Sequence, residues 1–436
     1  MRHVPIDPAL FTANRRRLVQ QLPAGAVAIL HAADILPTNG DGALRIHPAG
    51  DLFWASGIEQ EQSVLVLAPT TSDPAHREIL FVRQPTEQLA TWEGAKLSKE
   101  RAREISGVAT IRWTSELPTV LHALLCECDA VYLNANEHER AVIEVEGRDL
   151  RMARMLMAQY PLHRVERLAP ILRRLRAVKT PAEVALVRRA VDITAAGLER
   201  LVKALGPGVM EYELEAELVA EFVRRCGRPA YEPIVGSGGN ACVLHYLDND
   251  GECRAGDLVL VDAGASYANY ASDLTRTYPV SGRFTPRQRA VYEAVLRVLR
   301  SSIARTTVGT RLRDWKRAAQ VQMAEELVRL GLLTPEEAAG DSPDAPACKR
   351  YFMHGLGHSL GLGVHDLAPT DGPLEAGWVM TVEPGIYIPE EGFAVRLEND
   401  VLVTENGPVD LCSHVPVDPD DIERLMSRID HRDSRV

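Results

Sequence analysis

Five residues of this chain have side chain types and spacing suited to binding divalent cations. They are Asp262, Asp273, His358, Glu383 and Glu398. The motifs that contain them are VDAG (261–264), SDLTRT (272–277), HGLGH (354–358), TVEPG (381–385) and RLEND (396–400). Four carboxylates and one imidazole form a hard, oxygen-rich set, which suits two divalent cations side by side better than one tetrahedral zinc. Two such cations can activate a water and polarise a carbonyl group, so the set predicts hydrolysis.

The positions of the acids in the sequence support a metal site. Asp262 follows the apolar run LVLV and Glu383 follows VMTV, and such runs are usually buried strands. A single carboxylate there is more often a cap or turn residue, but burying four of them is costly unless they bind cations. Without cations, their mutual repulsion would force some of them to take up protons. Oxygen-dominated coordination favours manganese or magnesium over zinc, and cobalt also fits.

The HGLGH segment shares only its spacing with the helical zinc signature HExxH. His354 and His358 are four residues apart, but Gly355 and Gly357 lie between them and Gly361 follows. Glycine at this density disfavours a regular helix. We therefore do not expect both histidines to bind one metal from a single helical face.

Several segments together resemble a known family. The block from about Ile171 to Met426 is similar to the pita-bread metallopeptidases, which include Xaa-Pro aminopeptidase (aminopeptidase P), prolidase, methionine aminopeptidase and creatinase. Within this family, the chain resembles bacterial aminopeptidase P. The segments that carry the resemblance are GSGGNACVLHY (236–246), MHGLGHSLG (353–361), TVEPGIYI (381–388) and VRLENDVLVT (395–404).

The resemblance implies a fold, a reaction and a cofactor. The fold is an α/β, creatinase-like N-terminal domain followed by an α+β pita-bread catalytic domain. The reaction is metal-dependent release of the N-terminal residue from peptides with proline in the second position. The cofactor is a pair of divalent ions, manganese first, with Co²⁺, Zn²⁺ or Mg²⁺ as alternatives. The assembly is a homodimer or homotetramer.

The resemblance also assigns roles to histidines and to one tyrosine. It makes His358 the metal ligand, places His354 beside it and His365 on the other side of the substrate, and puts His245 at the mouth of the site. His354 and His365 would donate hydrogen bonds to the reacting carbonyl group. Tyr387 and His245 would shape the proline pocket. Outside such motifs, a lone loop histidine is more often a satisfied polar residue than a catalyst.

Further roles follow from chemistry and strand geometry. Glu383 is the candidate proton shuttle, because it can bind metal and still touch the attacking water. Arg396 and Glu398 are two residues apart in a predicted strand and should share a face, so Arg396 is a candidate to orient that carboxylate or to bind substrate. Asp273 and Thr275 share a face by the same rule, which makes Thr275 a candidate hydrogen-bond donor to the ligands.

Other positions bear on specificity. Trp92 matches a position in the N-terminal domain of aminopeptidase P, where that domain reaches towards a neighbouring subunit's cleft; core packing is an equally weighted interpretation. Gly363 stands where an acidic residue is common in the family. The loops 366–383 and 388–396 are short and border the site, so the family's preference for substrate length does not carry over.

Three alternatives stay open at this point. Prolidase, which cleaves Xaa-Pro dipeptides, shares every metal ligand. Creatinase uses the fold without a metal cage, and the complete set of five ligands argues against it. Some relatives are catalytically inactive binding modules, and these are marked by loss of one or more ligands.

The elements that must position these residues fall into two domains. The first, 1–174, alternates strands with helices and is predicted to be an α/β domain that serves oligomerisation and shapes the cleft. The second, 175–436, is the predicted dinuclear metallopeptidase domain. The predicted N-terminal strands are 26–30, 63–69, 78–82 and 131–134, and the predicted helices there are 99–107 and 118–127.

Within the second domain, the sequence predicts a helix start and a repeated strand pattern. Thr180, with Pro181 at the first helical position and Glu183 two residues later, forms a predicted capping box. The segments 257–280 and 378–407 each read as strand, loop and strand, and each supplies two of the four acids.

Composition excludes some classes of function. The formal net charge is −11 without a long basic tract, which argues against a nucleic-acid partner. No run approaches the roughly 18 apolar residues of a membrane helix, and the N-terminus lacks the pattern of a secretory signal. Seven scattered cysteines are typical of a reduced compartment. We therefore expect a cytoplasmic protein without nucleotide-binding motifs, nucleic-acid partner or membrane anchor.

Overall fold

The computed structural model describes residues 3–40, 42–44, 47–138, 144–340 and 342–427. Two compact units meet between Arg176 and Ala177. The outer ends of the two predicted domains, residues 1–2 and 428–436, lie outside the described residues. None of the helices in the described ranges combines the length and hydropathy that crossing a bilayer requires.

The N-terminal unit alternates strands and helices, as the sequence predicts. Its strands are β1 (Ala26–His31), β2 (Leu36–Pro37), β3 (Ala43–Leu44), β4 (Val64–Leu67), β5 (Glu78–Val82), β6 (Thr110–Trp113), β7 (Ala130–Leu133) and β8 (Arg164–Arg167). Its helices are α1 (Pro8–Val19), α2 (Gly50–Ser56), α3 (Glu87–Glu93), α4 (Lys99–Ser106), α5 (Leu117–Glu127), α6 (Arg148–Gln159) and α7 (Ala169–Ala177), which ends at the boundary.

A mixed six-stranded sheet in the order β6-β5-β4-β1-β7-β8 forms the centre of this unit. Val27, Val66, Phe81 and Leu124 belong to the apolar core that packs against it. The four predicted strands are confirmed as β1, β4, β5 and β7. The edge strand β8, Arg164–Arg167, was not predicted because its four residues are exposed and three of them are charged, which is typical of a protected sheet edge.

The C-terminal unit contains the candidate ligands. Its helices are α8 (Pro181–Ala204), α9 (Glu211–Arg224), α10 (Pro286–Ala304), α11 (Leu312–Arg329), α12 (Pro335–Ala339) and α13 (Pro419–Ser427). Its strands are β9 (Arg228–Pro229), β10 (Ile234–Ser237), β11 (Leu258–Ala263), β12 (Ala265–Tyr267), β13 (Tyr270–Ala271), β14 (Leu274–Pro279), β15 (Val379–Val382), β16 (Gly385–Ile388), β17 (Phe393–Arg396), β18 (Asn399–Thr404) and β19 (Gly407–Asp410).

Helix α8 begins as predicted. The Thr180 side chain accepts from the Glu183 backbone N–H at 3.3 Å, and the Glu183 carboxylate accepts from the Thr180 N–H at 2.8 Å. This reciprocal capping box satisfies two donors that the first turn would otherwise leave unpaired.

Two strand pairs of similar plan organise the unit. In the first, β11 pairs antiparallel with β14, and the short hairpin β12–β13 lies between them in the chain. In the second, β15 pairs antiparallel with β18, and the hairpin β16–β17 lies between them. The two predicted strand–loop–strand segments therefore each form an outer pair with an inserted hairpin, and these hairpins were not predicted.

Candidate metal centre

The four acids lie at equivalent places in the two strand pairs. Asp262 is near the end of β11 and Asp273 immediately precedes β14, while Glu383 follows β15 and Glu398 precedes β18. A backbone bond from Glu398 N–H to Thr275 O, 3.1 Å long, joins the two pairs. The fold therefore brings acids from segments over a hundred residues apart in the chain to one place.

The prediction that Arg396 and Glu398 share one strand is wrong, because β17 ends at Arg396 and β18 begins at Asn399. The chain changes its pairing partner there. Both side chains nevertheless meet at Thr275, whose hydroxyl donates to Glu398 Oε2 at 2.7 Å and accepts from Arg396 Nε at 3.1 Å. The prediction that Thr275 donates to a candidate ligand is thus confirmed.

Tyr231 connects the two acids of the first pair, and no local sequence pattern predicts this contact. Its hydroxyl lies 2.5 Å from Asp262 Oδ1 and also contacts Asp273 Oδ1. The tyrosine is held there because β10 pairs with β11, with Ile234 opposite Asp262. That pairing is not visible in the local sequence RPAYEP.

His358 lies on an extended segment, not on a helix, as the glycines predict. The segment runs along β15, with bonds from Thr381 N–H to His358 O at 2.9 Å and from Glu383 N–H to Leu356 O at 2.8 Å. A Cβ at Gly357 would lie 2.0 Å from Thr381 O, so only glycine permits this close approach.

Three of the predicted ligands converge. Asp273, His358 and Glu398 each offer one ligand atom, and these atoms lie within 4.8 Å of one another. Glu383 is adjacent, with Oε1 lying 3.8 Å from His358 Nε2. On Asp262, the Oδ2 atom accepts from Arg396 Nη2 at 2.5 Å.

A hydrogen-bonded chain runs from Arg396 to His354. Arg396 Nη1 donates to the Tyr387 hydroxyl at 2.7 Å, and that hydroxyl lies 2.8 Å from His354 Nε2. His354 Nδ1 lies 2.8 Å from Gly355 O, which can only accept, so His354 carries its proton on Nδ1. Both ring nitrogens of His354 are thus engaged, and donation to a substrate carbonyl requires exchange of one of these bonds.

The structure places the remaining predicted residues in different surroundings. The ring of His365 packs edge-on against that of His358, with centroids 4.1 Å apart. His245 is exposed on the loop after β10, within electrostatic reach of His354, whose pKa it helps to lower. Trp92, on α3, is 77% exposed, so core packing is the wrong interpretation for it.

Burial raises the pKa of Asp262, Glu383 and Glu398. For Asp262 burial outweighs the opposing charge of Arg396. The pKa of Glu383 is raised to about 7, chiefly by burial, and that of Glu398 is well above its usual range through burial and the charge of Asp273. Acids that repel one another in a dry site hold protons unless cations neutralise them, so this donor set fits metal ions.

The two central histidines are affected in opposite directions. Burial and the charge of Arg396 lower the pKa of His354 to about 3, so it is neutral. Burial also disfavours charge on His358, but its hydrogen bond to Asp273 and the charge of Glu383 outweigh burial and raise its pKa. His358 therefore faces the negative part of the cluster, where a cation would also be favoured.

Buried carboxylates and an imidazole, set where two similar strand pairs meet, define a metal-dependent hydrolase. Comparison with protein families supports this assignment. Residues 185–405 match the model of metallopeptidase family M24, and residues 11–132 match that of the aminopeptidase P N-terminal domain.

Individual relatives cover nearly the whole chain. The chain is 36% identical to Xaa-Pro aminopeptidase of Escherichia coli (strain K12), with 95% of this chain and 97% of that protein covered. The solved structure of zinc-substituted E. coli aminopeptidase P with product has a TM-score of 0.87 at 34% identity, covering 98% of this chain and 100% of that one. Pseudomonas aeruginosa aminopeptidase PepP has a TM-score of 0.88 at 32% identity, covering 98% and 99%. The chain belongs to metallopeptidase family M24, in its aminopeptidase P branch.

Proposed function

We propose that this chain is an Xaa-Pro aminopeptidase, which hydrolyses the bond between the first residue of a peptide and a proline in the second position. The observation that carries the proposal is the convergence of Asp273, His358 and Glu398 within 4.8 Å, with Glu383 and two further histidines beside them. The matches to aminopeptidases P over nearly the whole chain support the proline preference.

We propose two divalent ions as the cofactor, with Mn²⁺ as the preferred ion. The residues that would hold them are Asp262, Asp273, His358, Glu383 and Glu398. The donor set, with four carboxylates and one imidazole, supports Mn²⁺, with Co²⁺, Zn²⁺ and Mg²⁺ as alternatives. Bound ions would supply Lewis acidity and lower the pKa of a water at the reacting carbonyl.

Glu383 is the proposed proton carrier. Its Oε2 lies 3.5 Å from His354 Nδ1 and its Oε1 lies 3.8 Å from His358 Nε2, so the carboxylate spans the space between the two imidazoles. It takes a proton from the attacking water, whose oxygen adds to the carbonyl carbon. When the carbon–nitrogen bond breaks, Glu383 delivers the proton to the proline nitrogen.

Arg396 and the histidines orient the reacting groups. Arg396 fixes Asp262 directly and His354 through Tyr387, so one buried guanidinium sets both sides of the cluster. We propose that His365, whose ring packs on that of His358, donates to a substrate carbonyl. The free amino group of the substrate would bind near Asp262, which explains removal of a single residue.

The proposal for the proline pocket rests on His245 and Tyr387. Proline has no N–H, so a site that accepts it cannot rely on a hydrogen bond there, and contact with ring faces serves instead. The exposure of Trp92 fits the proposed role of the N-terminal unit in shaping a cleft in an assembly. We also propose a homodimer or homotetramer, which sedimentation velocity would test, and a cytoplasmic location, supported by seven free cysteines.

One matched pair of substrates tests the function. Manganese-loaded and chelated protein would be given an Xaa-Pro dipeptide and the same sequence extended by one residue. We expect metal-dependent release of the first residue from the longer peptide and little action on the dipeptide. The reverse preference would make the chain a prolidase. Activity on neither peptide despite bound metal would move the assignment to an inactive binding module, although no ligand has been lost.

A further inference from the structure

A buried carboxylate outside the metal centre holds the loop that carries His245. Glu211, the first residue of α9, is fully buried. The His245 loop, residues 238–251, connects β10 to the chain that enters β11. Glu211 contacts this loop and the residue before it through both carboxylate oxygens.

The contacts of Glu211 lie at both ends and in the middle of the loop. Oε1 accepts from Ser237 N–H at 2.6 Å and Oε2 accepts from Gly251 N–H at 2.7 Å. In between, Oε2 accepts from the Tyr246 hydroxyl at 2.8 Å, and Asn240 Nδ2 donates to Oε1 at 3.1 Å. One carboxylate thus binds both ends of the loop and Tyr246, the residue that follows His245 in the chain.

The burial of this charge needs a reason. Placing a carboxylate in a dry environment is costly, and the four donors together with the positive end of α9 offset that cost. Hydrogen bonds to a charged acceptor are among the stronger ones in proteins. A neutral side chain would fill the space without drawing two backbone N–H groups and two side chains to one point.

The loop has little apolar anchorage of its own towards its tip. Val243 is 55% exposed and Leu247 is 48% exposed. Its inward side leads to the site, because Leu244 packs against the small cluster that contains Tyr387, and the Tyr387 hydroxyl contacts His354. The orientation of His245 therefore depends on the packing of Leu244 and on polar contacts made elsewhere in the loop.

Asn249 also holds the loop in place, partly through a contact with α9. Asn249 accepts from Val235 N–H at 3.0 Å and donates to Pro233 O and to Glu215 Oε2, both at 2.9 Å. Asn249 also adopts a φ of 46°, a conformation that asparagine tolerates better than most residues. The base of the loop is thus tied to β10 and α9.

We infer that Glu211 is a positioning residue for substrate binding: its carboxylate fixes the His245 loop so that His245 faces His354 and the proline pocket. It does not touch the reacting atoms. The kinetic part of this inference rests on the proposed Xaa-Pro aminopeptidase function, whereas the structural part does not.

Glu211→Gln tests the inference, with Glu213→Gln as the matched control. Glutamine keeps the volume but turns an N–H₂ group towards one set of donors. Glu213 lies on the same first turn and caps the Met210 N–H at 2.8 Å without touching the loop. In manganese-loaded Glu211→Gln we expect a tenfold or greater loss of kcat/KM on an Xaa-Pro-Xaa peptide, faster hydrogen exchange confined to peptides covering 238–251, and unchanged metal content. Glu213→Gln should stay within twofold of wild type.

A double-mutant cycle separates positioning from general destabilisation. If Glu211 acts through His245, Glu211→Gln in a His245→Ala background should lower kcat/KM by less than twofold. Three results would each overturn the inference. They are kcat/KM losses of the two substitutions that multiply in the double mutant, unchanged hydrogen exchange in residues 238–251 of Glu211→Gln, and loss of metal from Glu211→Gln. Should Glu211→Gln fail to fold, Tyr246→Phe removes one of the four bonds to Glu211, together with the contacts of that hydroxyl with Asn240 and Asp250. It should also lower kcat/KM and speed hydrogen exchange in the loop. A wild-type protein inactive on Xaa-Pro peptides would refute the function, while the exchange measurement still decides the loop.

Discussion

The Thr275 hydroxyl lies where both halves of the metal centre meet, so its removal should weaken metal binding more than its size suggests. Thr275 is fully buried and stands opposite Asp262 in the pairing of β11 with β14. Thr275→Val keeps the shape of the side chain. It removes the donor to Glu398 at 2.7 Å and the acceptor for Arg396 Nε at 3.1 Å.

The expected magnitude follows from these two contacts. Losing a hydrogen bond to a charged group costs about 1.5–3 kcal/mol, and leaving a buried donor unpaired costs about 1–3 kcal/mol. Glu398 also loses its orientation, and the loss of such a supporting contact typically weakens metal binding by about 10–100-fold. Thr275→Val should therefore lower the unfolding free energy by about 2.5–6 kcal/mol and raise the Kd for Mn²⁺ about 10–100-fold.

The assay is calorimetric titration of chelated protein with Mn²⁺, together with urea unfolding. Thr277→Val is the control, because Thr277 is equally buried two residues along β14. Among the described residues, its hydroxyl bonds only the Arg396 backbone, at 3.0 Å to its O and 3.3 Å from its N–H. It should lose stability but bind Mn²⁺ within twofold of wild type. Wild-type affinity for Mn²⁺ in Thr275→Val, or equal weakening in both variants, would show that the Thr275 hydroxyl does not support metal binding.

Three further predictions concern Gly357, Lys179 and His31. Gly357→Ala should prevent the His358 segment from pairing with β15, because the added Cβ would lie 2.0 Å from Thr381 O; loss of Mn²⁺ binding in calorimetry checks this, and wild-type binding would contradict it. Lys179→Met leaves the buried Asp366 carboxylate without the ammonium 3.3 Å away and should cost about 3–5 kcal/mol of unfolding free energy, measured by urea denaturation; a change under 1 kcal/mol would refute it. Burial lowers the pKa of His31 to about 4, so the unfolded chain binds the proton first and stability should fall by up to about 3 kcal/mol between pH 6.5 and pH 4. His31→Phe should flatten that part of the pH dependence, and an unchanged slope would contradict the assignment.

The sequence was sufficient for features that local pattern determines. The runs before Asp262 and Glu383 predicted buried strands that end in acids, and β11 and β15 are such strands. The glycines around His358 excluded a helix, and the segment is extended. The capping box at Thr180 depends on a few neighbouring residues and was equally accessible.

The features that were missed depend on pairing between distant segments. Arg396 and Glu398 were placed in one strand because nothing local shows that the chain exchanges β16 for β15 as its neighbour between them. The contacts of Tyr231 with the acids and of Glu211 with the His245 loop likewise depend on how β10 and this loop lie beside β11 and α9. Single-sequence periodicity cannot identify such contacts, since each partner alone has an ordinary composition.

We propose that the carboxylate cluster is a two-ion hydrolytic centre for Xaa-Pro peptides. Its most direct test is to titrate chelated protein with Mn²⁺ while following release of the first residue from an Xaa-Pro-Xaa peptide. We predict that activity rises from background and saturates at about two ions per chain. The Asp273→Asn variant should stay at background when it is titrated with Mn²⁺ in the same way. Full activity of the chelated protein, or full activity of Asp273→Asn, would contradict a metal-dependent reaction at this cluster.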